Sequence, residues 1–425
     1  MTAAATPFGL LGRKLGHSWS KPIHEQLGSA PYSHIELEPE EVVPFIRENA
    51  AWRGLNVTMP YKLDAARAAD ERSPRVEALG AANTLVRRAD GSVFAENTDV
   101  LGFSWMLGRF CARELGRDAA TALGGKKALV LGSGGASQAI RASLAETGAD
   151  VVVVSRSGED NYGNLIERNA DAALIVNTTP VGMYPSCPGT PVAEEDLARM
   201  PGLLAVLDIV YNPRRTGICL AAEHLGVPSE SGLAMLVAQA FFASELFQGK
   251  KLAEALIEGI EASIYRQTQN IVLIGMPGAG KTTTGRRLAH LLGRPFVDVD
   301  EAIAQKSGRS AANIIETDGE DAFRRIETEV TGECCARSGL VVACGGGVVT
   351  RPENRDLLRQ NGTVFMIDRP LSELSSSGRP MSQAKGVERL AAERMDAYRS
   401  WSDAQIACSG SAEGDAAQIL QTLGF

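Results

Sequence analysis

Two short apolar segments organise the pattern of hydrophobic and polar residues, because each leads into a glycine-rich turn and then into a helical pattern. The first segment is Ala128–Leu131, followed by Gly132, and the second is Ile271–Ile274, followed by Gly275. A strand, a glycine turn and a helix N-terminus together direct backbone N–H groups toward a phosphate. Two such units, about 140 residues apart, predict two nucleotide-binding domains.

Short apolar strands and helical segments alternate through the rest of the N-terminal part, which predicts an α/β fold. The predicted strands are Phe8–Leu11, Ile35–Leu37, Gly54–Thr58, Thr84–Val86, Ala149–Ser155, Ala173–Asn177 and Leu203–Asp208. The predicted helices are Pro22–Leu27, Glu40–Asn49, Ser231–Leu246 and Lys251–Tyr265. The polar stretch Arg266–Asn270 precedes the second glycine turn, so we expect the main domain boundary there.

The composition narrows the class of protein. The 425 residues correspond to two or three domains, and the formal net charge of −8 argues against nucleic acid or anionic membrane as a partner. No apolar run of about 18 residues predicts a membrane span, and Met1–Pro7 lacks the basic start of an export signal. Seven cysteines without CxxC spacing indicate a reduced cytoplasmic protein without a disulfide framework or a zinc knuckle. Five histidines without HExxH argue against a metal site built from histidines. Monomer and homodimer both remain open.

The first glycine turn has the composition of a dinucleotide-binding loop, with a plain turn between buried elements as the alternative. Glycines there let the backbone approach a pyrophosphate closely, and the loop comprises Gly132, Ser133, Gly134, Gly135 and Ala136. The next strand ends in Ser155 and Arg156, where NAD-selective folds place an acid. Because Arg can bind a 2′-phosphate bidentately, NADP(H) is the predicted cofactor. Glu159 and Asp160 follow and oppose that selectivity.

Polar residues also gather at predicted strand ends near the N-terminus. Ser18 and Ser20 precede a helix, Thr58 ends a strand, and Lys62 follows on the next turn. An ordinary helix cap explains Ser20 equally well, and an isolated lysine is usually a solvated surface charge. Further amide and carboxylate groups occur in Ala82–Thr84 and Glu96–Asp99.

From about residue 8 to 265 the chain resembles shikimate dehydrogenases, and the resemblance extends over many motifs in the right order. The matching motifs are Gly16–Ser20, Asn56–Lys62, Ala82–Thr84, Asn97–Asp99, Gly132–Ala136, Asn177–Thr179, Asp208–Tyr211 and Gly232–Gln239. The resemblance implies reversible, NADPH-dependent reduction of 3-dehydroshikimate to shikimate. It also implies a catalytic domain at 1–101 plus 232–266 and a Rossmann NADP domain at 102–231.

The same resemblance implies roles for individual residues. Lys62 and Asp99 would form the catalytic pair, because an ammonium can stabilise and protonate the alkoxide that hydride transfer creates. The substrate carboxylate would be bound by Ser18, Ser20 and Tyr211, and its ring hydroxyls by Thr58, Asn83, Asp99 and Gln239. Ile209 and Gly232 would line the nicotinamide. Asp160 and Ser231 depart from the residues that many relatives carry.

The second glycine turn is a complete P-loop motif. Gly275–Thr282 fits GxxxxGK[ST] after a strand and before a helix. In such a motif Lys281 and backbone amides bind the β- and γ-phosphates, and the Thr282 hydroxyl binds Mg²⁺. Asp298 and Asp300 end the next strand, and side chains two apart on a strand share a face. We therefore expect paired carboxylates for metal and hydroxyl chemistry, with a solvated acidic rim as the alternative.

From about residue 270 to 420 the chain resembles shikimate kinases. The motifs are Asp298–Asp300, Phe323–Glu327, Gly345–Gly347, Arg379–Pro380 and Arg394–Tyr398. The resemblance implies ATP-dependent phosphorylation of the shikimate 3-hydroxyl in a P-loop domain at 271–425, after a linker at 267–270. The nucleotide would be bound by Gly278, Ala279, Gly280, Lys281, Thr282, Thr283 and Arg379.

The kinase resemblance also assigns the other groups of that site. Asp298 would bind Mg²⁺ through water, and Asp300 would bind the ring hydroxyls and take the proton. The substrate would otherwise be bound by Arg324, Gly346 and Arg394, while Lys281, Asp300 and Arg379 would be the catalytic groups. The lid segment Leu371–Arg379 is shorter than usual and lacks a basic residue near the adenine. This difference predicts a raised KM for ATP.

Taken together, the two resemblances predict a bifunctional enzyme for consecutive steps of aromatic amino-acid biosynthesis. A ligand sensor built from retired enzyme domains, such as the fungal quinate repressor, is one alternative. In such proteins catalytic residues are lost, whereas Lys62, Asp99, Lys281 and Asp300 are all present here. A first half that prefers quinate with NAD is the other alternative.

Overall fold

The computed structural model describes residues 7–16, 18–374 and 386–424. The chain forms two compact units, and each unit is assembled from several segments. The first unit comprises Met1–Pro180, Pro191–Tyr211 and Ala221–Ile264, and the second comprises Val181–Thr190, Asn212–Leu220 and Tyr265–Phe425. Two short segments that precede Tyr265 in the sequence therefore belong to the second unit.

A six-stranded mixed sheet occupies the N-terminal part of the first unit, in the order β2-β1-β3-β5-β6-β4. Its strands are β1 (Phe8–Gly12), β2 (Tyr32–Glu36), β3 (Gly54–Val57), β4 (Glu71–Arg72), β5 (Thr84–Arg87) and β6 (Val93–Glu96). Its helices are α1 (Ser20–Gln26), α2 (Pro39–Glu48), α3 (Lys62–Ala68) and α4 (Pro74–Leu79). Leu11, Leu55 and Leu85 from β1, β3 and β5 are fully buried and form the centre of this core.

A five-stranded parallel sheet follows in the first unit, in the order β11-β10-β9-β7-β8. Its strands are β7 (Lys127–Leu131), β8 (Asp150–Val154), β9 (Leu174–Asn177), β10 (Ala205–Asp208) and β11 (Ser229–Glu230). The helices between β6 and residue 268 are α5 (Thr98–Glu114), α6 (Ala119–Leu123), α7 (Gly135–Glu146), α8 (Leu165–Asn169), α9 (Glu194–Leu197), α10 (Gly217–His224), α11 (Leu233–Gln248) and α12 (Ala255–Thr268). The first residues of α10 and the last residues of α12 belong to the second unit. Ligands of such sheets bind at the carboxyl ends of the strands, where the predicted cofactor residues lie.

Helices α5 and α11 pack against each other more closely than ordinary side chains permit. A Cβ atom at Gly102 of α5 would lie 2.8 Å from the backbone nitrogen of Gln239 and 2.9 Å from the carbonyl oxygen of Met235 on α11. Glycine is therefore required where the two helices cross. Since α5 carries Asp99 and α11 carries Gln239, this contact fixes the distance between two predicted substrate-binding residues.

The second unit contains a five-stranded parallel sheet in the order β13-β14-β12-β15-β16. Its strands are β12 (Asn270–Ile274), β13 (Phe296–Asp298), β14 (Val341–Ala343), β15 (Gly362–Asp368) and β16 (Ala404–Ala407). Its helices are α13 (Lys281–Leu292), α14 (Val299–Ser307), α15 (Ala311–Asp318), α16 (Glu320–Ala336), α17 (Asn354–Arg359), α18 (Val387–Trp401) and α19 (Ala412–Leu423), with 3₁₀ turns at Val348–Thr350 and Leu371–Glu373. Strand β12, which leads into the P-loop, is central and wholly buried.

The α/β fold class predicted from the sequence is confirmed, and two local predictions are corrected. Helix α12 continues to Thr268 and β12 begins at Asn270, so a single residue separates them where a polar bridge was expected. Asn270 is buried, and its side-chain nitrogen donates to the carbonyl oxygens of Cys335 and Arg337. These hydrogen bonds satisfy the amide away from water. Strand β13 ends at Asp298, and Asp300 lies in the first turn of α14. Within the described part of the chain, no helix is both long and apolar enough to cross a membrane.

Candidate active sites

Lys62, Asp99 and Asn83 form one hydrogen-bonded group in the first unit. The Lys62 ammonium donates to Asp99 Oδ2 at 2.6 Å, and Asn83 Nδ2 donates to Asp99 Oδ1 at 2.9 Å. The ammonium and carboxylate are mostly shielded, with 21% and 15% of their side chains exposed. Asn83 Oδ1 in turn accepts from the backbone nitrogen of Thr98 at 2.7 Å, which fixes the start of α5. A cation and a carboxylate are thus held together at a partly open position.

Ser18 and Ser20 lie together at the start of α1. Ser18 Oγ donates to Ser20 Oγ at 3.0 Å and accepts from the Ser20 backbone nitrogen at 3.2 Å. Ser20 is the first residue of the helix, and Trp19 occupies the capping position without a side-chain bond. The capping role considered for Ser20 is therefore wrong, and two adjacent hydroxyls remain as a candidate carboxylate site.

The other predicted substrate residues are positioned by nearby backbone. The Thr58 backbone nitrogen donates to the Leu11 carbonyl oxygen at 2.9 Å, which places Thr58 just beyond β3. Gln239 Nε2 donates to the Leu236 carbonyl oxygen at 2.8 Å within α11. Tyr211 follows β10 and is partly buried, and this burial raises the pKa of its phenol. Hydrogen bonds thus link Lys62 to Asp99, whereas Thr58 and Gln239 are bonded to backbone.

The first glycine turn presents bare backbone at the start of α7. Gly132 has φ +101°, and a Cβ there would lie 2.9 Å from Thr179 Cγ2, so glycine is required. Gly134 caps α7, and no atom lies within 4 Å of a Cβ at Gly134 or Gly135. An open loop of amides at a helix N-terminus fits the pyrophosphate of a dinucleotide.

The acids near the predicted 2′-phosphate position bond to Arg168. Its guanidinium donates to Glu159 Oε1 at 2.7 Å and lies 3.0 Å from Asp160 Oδ1. Asn169 Nδ2 also donates to Asp160 Oδ1 at 3.0 Å. Arg156 itself is exposed at the end of β8. The two acids that weakened the NADP prediction are therefore engaged by other groups.

Ile209 and Gly232 lie in direct backbone contact beside β10. A Cβ on Gly232 would lie 2.1 Å from the Ile209 carbonyl oxygen, so no other residue fits there without movement. The Gly232 backbone nitrogen donates to the Val210 carbonyl oxygen at 2.9 Å. This contact fixes the backbone at the start of α11.

The P-loop of the second unit is formed between β12 and α13. Gly278 and Gly280 have φ values of +88° and +101°, and Gly280 caps α13. Lys281 is buried, and its ammonium donates to the carbonyl oxygens of Gly275 at 2.9 Å and Met276 at 3.0 Å. The Lys281 ammonium is thus hydrogen-bonded to the P-loop itself, and binding a phosphate would require it to exchange these carbonyl partners for phosphate oxygens.

Thr282 and Asp298 place oxygen atoms together beside the P-loop. Thr282 Oγ1 donates to Asp298 Oδ2 at 2.7 Å, and Asp298 also accepts from the backbone nitrogens of Asp300 and Glu301. The described residues contain no group of three or more His, Cys, Asp or Glu that could hold a metal ion. A hydroxyl and one carboxylate nevertheless fit Mg²⁺, which keeps several waters and binds substrate phosphates.

Neighbouring charges act on the pKa of the Asp300 carboxyl in opposite directions. Burial raises the pKa of its carboxyl, and the neighbouring Asp298 carboxylate raises it further. Lys281 and Arg324 act in the opposite direction. The sequence interpretation placed Asp300 by strand alternation. Asp300 instead lies in the first helical turn of α14, which Asp298 caps. A raised pKa makes the Asp300 carboxylate a better proton acceptor.

Arg324 is held by carboxylates on its own helix. Arg324 Nη1 donates to Glu327 Oε2 at 2.6 Å, and Arg324 Nη2 donates to Glu320 Oε1 at 3.3 Å. Glu327 is fully buried, and this burial raises its pKa while Arg324 opposes the increase. A buried, pre-oriented guanidinium is suited to bind a planar carboxylate.

The three glycines after β14 allow these groups to converge. A Cβ at Gly345 would lie 2.7 Å from Asp300 Oδ1, and one at Gly347 would overlap the Arg324 guanidinium. The Gly346 carbonyl oxygen accepts from Arg394 Nη1 at 2.8 Å and from the Tyr398 hydroxyl. The triple glycine thus makes room for side chains on either side and is itself fixed by α18.

A cavity of about 640 Å³ joins these groups in the second unit. It is lined by the P-loop, Asp298, Asp300, Arg324, the three glycines and Arg394, and also by Arg369. Arg379, the predicted lid arginine, lies outside the described residues. The volume is sufficient for a nucleotide or a small acid to enter.

Comparison with known proteins identifies the first unit. Residues 10–85 match the family model described as the shikimate dehydrogenase substrate binding domain. Shikimate dehydrogenase (NADP(+)) of Clostridium perfringens is 34% identical over 274 residues, which cover 60% of this chain and 96% of that protein. The chain belongs to the shikimate dehydrogenase family.

Solved structures agree with this family assignment. A chorismate mutase/shikimate 5-dehydrogenase fusion protein from Clostridium acetobutylicum is 31% identical, with TM-score 0.54, over 62% of this chain and 98% of that one. Shikimate 5-dehydrogenase of Thermus thermophilus, in complex with NADP(H) and shikimate, is 29% identical with TM-score 0.51, over 60% and 98%. Residues 277–424 match the family model of shikimate kinase, so a shikimate kinase domain follows the dehydrogenase in the same chain.

Sequence reasoning missed two residues of the kinase cavity. Glu327 was seen only as part of a motif, although the i to i+3 spacing from Arg324 on one helix could have indicated the ion pair. Arg369 directly follows β15, and only the sheet order reveals that it reaches the P-loop.

Proposed function

We propose that the chain catalyses two consecutive reactions. The first unit reduces 3-dehydroshikimate to shikimate with NADPH, and the second phosphorylates the shikimate 3-hydroxyl with MgATP. The observation that carries the first reaction is the Lys62–Asp99–Asn83 group at a partly open position in a member of the shikimate dehydrogenase family. Within this proposal residues 1–101 and 232–266 form the substrate domain, 102–231 the NADP domain and 271–425 the kinase.

Lys62 supplies the proton in the dehydrogenase reaction. Bound NADPH supplies the hydride, and the carbonyl oxygen of the substrate then becomes an alkoxide. The Lys62 ammonium stabilises that charge and donates a proton to it, while Asp99 holds the ammonium in place. Their 2.6 Å contact supports this assignment. Asn83, bonded to the other oxygen of Asp99, keeps the carboxylate oriented.

The remaining polar residues of the first unit bind the substrate and the cofactor. The paired hydroxyls of Ser18 and Ser20, with Tyr211, bind the carboxylate. Thr58, Asn83 and Gln239 bind ring hydroxyls. The turn from Gly132 to Ala136 binds the pyrophosphate, Ser155 and Arg156 bind the 2′-phosphate, and Ile209 and Gly232 border the nicotinamide. The engagement of Glu159 and Asp160 by Arg168 supports a preference for NADP over NAD.

The second unit acts by positioning and charge neutralisation, as phosphoryl transfer requires. Lys281 and the backbone from Gly278 to Thr283 bind the phosphates. Thr282 and Asp298 would hold Mg²⁺, which would supply positive charge to neutralise the phosphate oxygens. Asp300 accepts the proton of the 3-hydroxyl, and the raised pKa of its carboxyl supports that role. Arg324 and Arg394 bind the shikimate carboxylate next to Gly346, and Arg379 of the lid contacts the transferred phosphoryl group.

Steady-state assays of the purified chain test the proposal. We expect shikimate to support NADP reduction at a higher kcat/KM than NAD, and MgATP to support its phosphorylation. The quinate alternative predicts oxidation of quinate with NAD as the better reaction, and the sensor alternative predicts no turnover in any assay. We place both reactions in the cytoplasm, because none of the seven cysteines, all of which lie among the described residues, forms a disulfide.

A further inference from the structure

Arg369 is a cation of the kinase cavity to which neither the sequence motifs nor the proposed mechanism assigns a role. It is the first residue after β15 and lines the same cavity as Gly278, Gly280 and Lys281. A Cβ at Gly280 would lie 3.7 Å from Arg369 Nη2, so the guanidinium lies against the glycine that caps α13. Its side chain is 24% exposed. A mostly shielded positive charge therefore faces the loop that binds phosphates.

The order of the strands places Arg369 away from the predicted shikimate groups. The P-loop follows β12, the central strand. Asp298 and the three glycines follow β13 and β14 on one side of β12, whereas Arg369 follows β15 on the other side. All five strands are parallel, so these loops meet at one edge of the sheet. The residues proposed to bind shikimate lie toward β13 and β14, which leaves the side of β15 and β16 for the rest of the nucleotide.

The hydrogen bonds of Arg369 leave donor capacity for a ligand. Nη2 donates to Cys408 Sγ at 2.9 Å, a weak acceptor. Glu373 lies 4.0 Å from Nη1 and is mostly exposed. Nε is buried and has no hydrogen-bond partner among the described residues. A guanidinium has five N–H donors, so much of its capacity remains for an anion or a polar base.

Cys408 and Asp415 fix the guanidinium beside the loop after β16. Cys408 Sγ donates to Asp415 Oδ2 at 3.4 Å. Asp415 is buried and accepts from the Ser409 backbone nitrogen at 2.6 Å and from Ser409 Oγ at 2.8 Å. The loop from Cys408 to Ser411 is thereby tied to α19, and Arg369 is held between this loop and the P-loop. Such a position requires no large movement to meet a bound nucleotide.

We propose that Arg369 is a nucleotide-binding residue of the kinase, contacting the nucleoside end of ATP and its adjoining phosphate, with Cys408 beside it. The inference rests on the proposed kinase function. It also supplies a basic group for the nucleotide, which the lid sequence lacks near the adenine. Arg369 thus sets the affinity for nucleotide and leaves the binding of shikimate unchanged.

The first test compares Arg369→Gln and Arg369→Lys with the wild-type full chain. We expect Arg369→Gln to raise the KM for ATP and the Kd for ADP about tenfold, the loss typical of one charge-assisted hydrogen bond. The KM for shikimate should change less than about twofold, and Arg369→Lys should recover part of the affinity because it keeps the charge. Arg389→Gln, which removes an exposed arginine paired with Glu393, is the matched control.

A second measurement covers the case in which Arg369→Gln impairs folding of the kinase. Modification of Cys408 by N-ethylmaleimide in the wild-type chain is followed by peptide mass spectrometry, with the partly buried Cys187 as internal reference. ADP should slow modification of Cys408 at least about fivefold, and shikimate alone should not. An unchanged Kd for ADP in Arg369→Gln, or an unprotected Cys408, overturns the inference. Absence of shikimate phosphorylation in a wild-type chain that binds ADP contradicts the kinase function instead.

Discussion

At the scale of single residues, Lys62 offers the sharpest test of the dehydrogenase site. Replacing Lys62 with Ala removes the only ammonium bonded to Asp99 among the described residues. We expect kcat for shikimate oxidation with NADP to fall by about 10²–10⁴, the usual contribution of a general acid. Kinase turnover of the same preparation should stay at the wild-type value. A parallel loss of both activities would contradict the assignment of two separate sites.

Asp300 provides the corresponding test of the kinase. Asp300→Asn keeps the size of the side chain but removes its basicity, so we expect most phosphoryl transfer to be lost while NADP-linked activity is unchanged. Burial and Asp298 raise the pKa of Asp300, so the wild-type kinase should lose kcat/KM on acidification at a pH above the ordinary range of aspartate. Appreciable turnover by Asp300→Asn would remove this residue from the mechanism.

Arg156 tests the cofactor preference at the end of β8. Arg156→Ala should raise the KM for NADP about tenfold or more, because one charge-assisted contact to a phosphate is lost. The KM for NAD should stay nearly constant, since NAD carries no 2′-phosphate. Equal effects on the two cofactors would show that Arg156 contacts a part common to both.

Most of the proposed site residues could be named from the sequence because they lie in short contiguous motifs. Lys62 and Asp99 were paired through the family resemblance and the chemistry it implies, and the structure places them 2.6 Å apart. The predicted position of Asp300 on a strand was wrong, because β13 ends at Asp298 and α14 begins at Val299. The two-residue spacing of the aspartates does not reveal that change. Arg369 was missed because Cys408, which it contacts, is more than 30 residues distant in sequence. Contacts of that kind follow from the strand order.

At the scale of elements, the crossing of α5 and α11 determines the substrate site. Gly102→Ala places a Cβ against the backbone of Gln239 and Met235, so the helices must separate. We expect a loss of about 1–3 kcal/mol in the free energy of unfolding and a raised KM for shikimate. Gly108→Ala on the same helix is the control, because no atom lies within 4 Å of a Cβ there. A raised KM in Gly108→Ala as well would refute the packing argument.

The packing of α1, β2 and α11 contains a buried histidine that makes stability depend on pH. The His24 ring stacks on Tyr32 at 4.4 Å and on Phe247 at 5.5 Å, and burial lowers its pKa to about 3. In the unfolded chain histidine titrates near 6.5, so acidification favours the unfolded state below that pH. Lowering the pH from 7.5 to 5.5 should therefore reduce the free energy of unfolding by about 1.4 kcal/mol through His24.

Urea unfolding of the dehydrogenase unit at the two pH values measures this loss. His24→Phe should reduce the pH dependence by about 1.4 kcal/mol. His34→Gln, which changes a more exposed histidine of β2, serves as the matched control. An identical pH dependence in His24→Phe and wild type would contradict the buried, neutral histidine.

Short apolar runs predicted the main strands, and the predicted ends coincide with the observed ones or differ from them by up to three residues. Strand β4 has only two residues, too few for a period to be recognised, and its pairing with β6 depends on the tertiary fold. The last residues of α12 were expected to form a polar bridge because their sequence is polar. Asn270 is nevertheless buried, since backbone carbonyl groups satisfy its amide.

At the scale of the whole molecule, one chain makes shikimate and then phosphorylates it. The product of the first reaction is the substrate of the second, which gives a chemical reason for a shikimate kinase domain to follow the dehydrogenase. The two sites use different groups and different cofactors, so each should tolerate inactivation of the other. A mixture of the Lys62→Ala and Asp300→Asn variant proteins should therefore restore the complete conversion of 3-dehydroshikimate to shikimate 3-phosphate.

The most direct measurement supplies the purified wild-type chain with 3-dehydroshikimate, NADPH and MgATP, and follows NADPH, free shikimate and its phosphate ester together. We predict that NADPH is oxidised and that shikimate 3-phosphate forms in an equal amount, with free shikimate only as an intermediate. Without ATP, shikimate itself should accumulate. Oxidation of NADPH with no ATP-dependent phosphate ester, or no oxidation at all, would contradict the account.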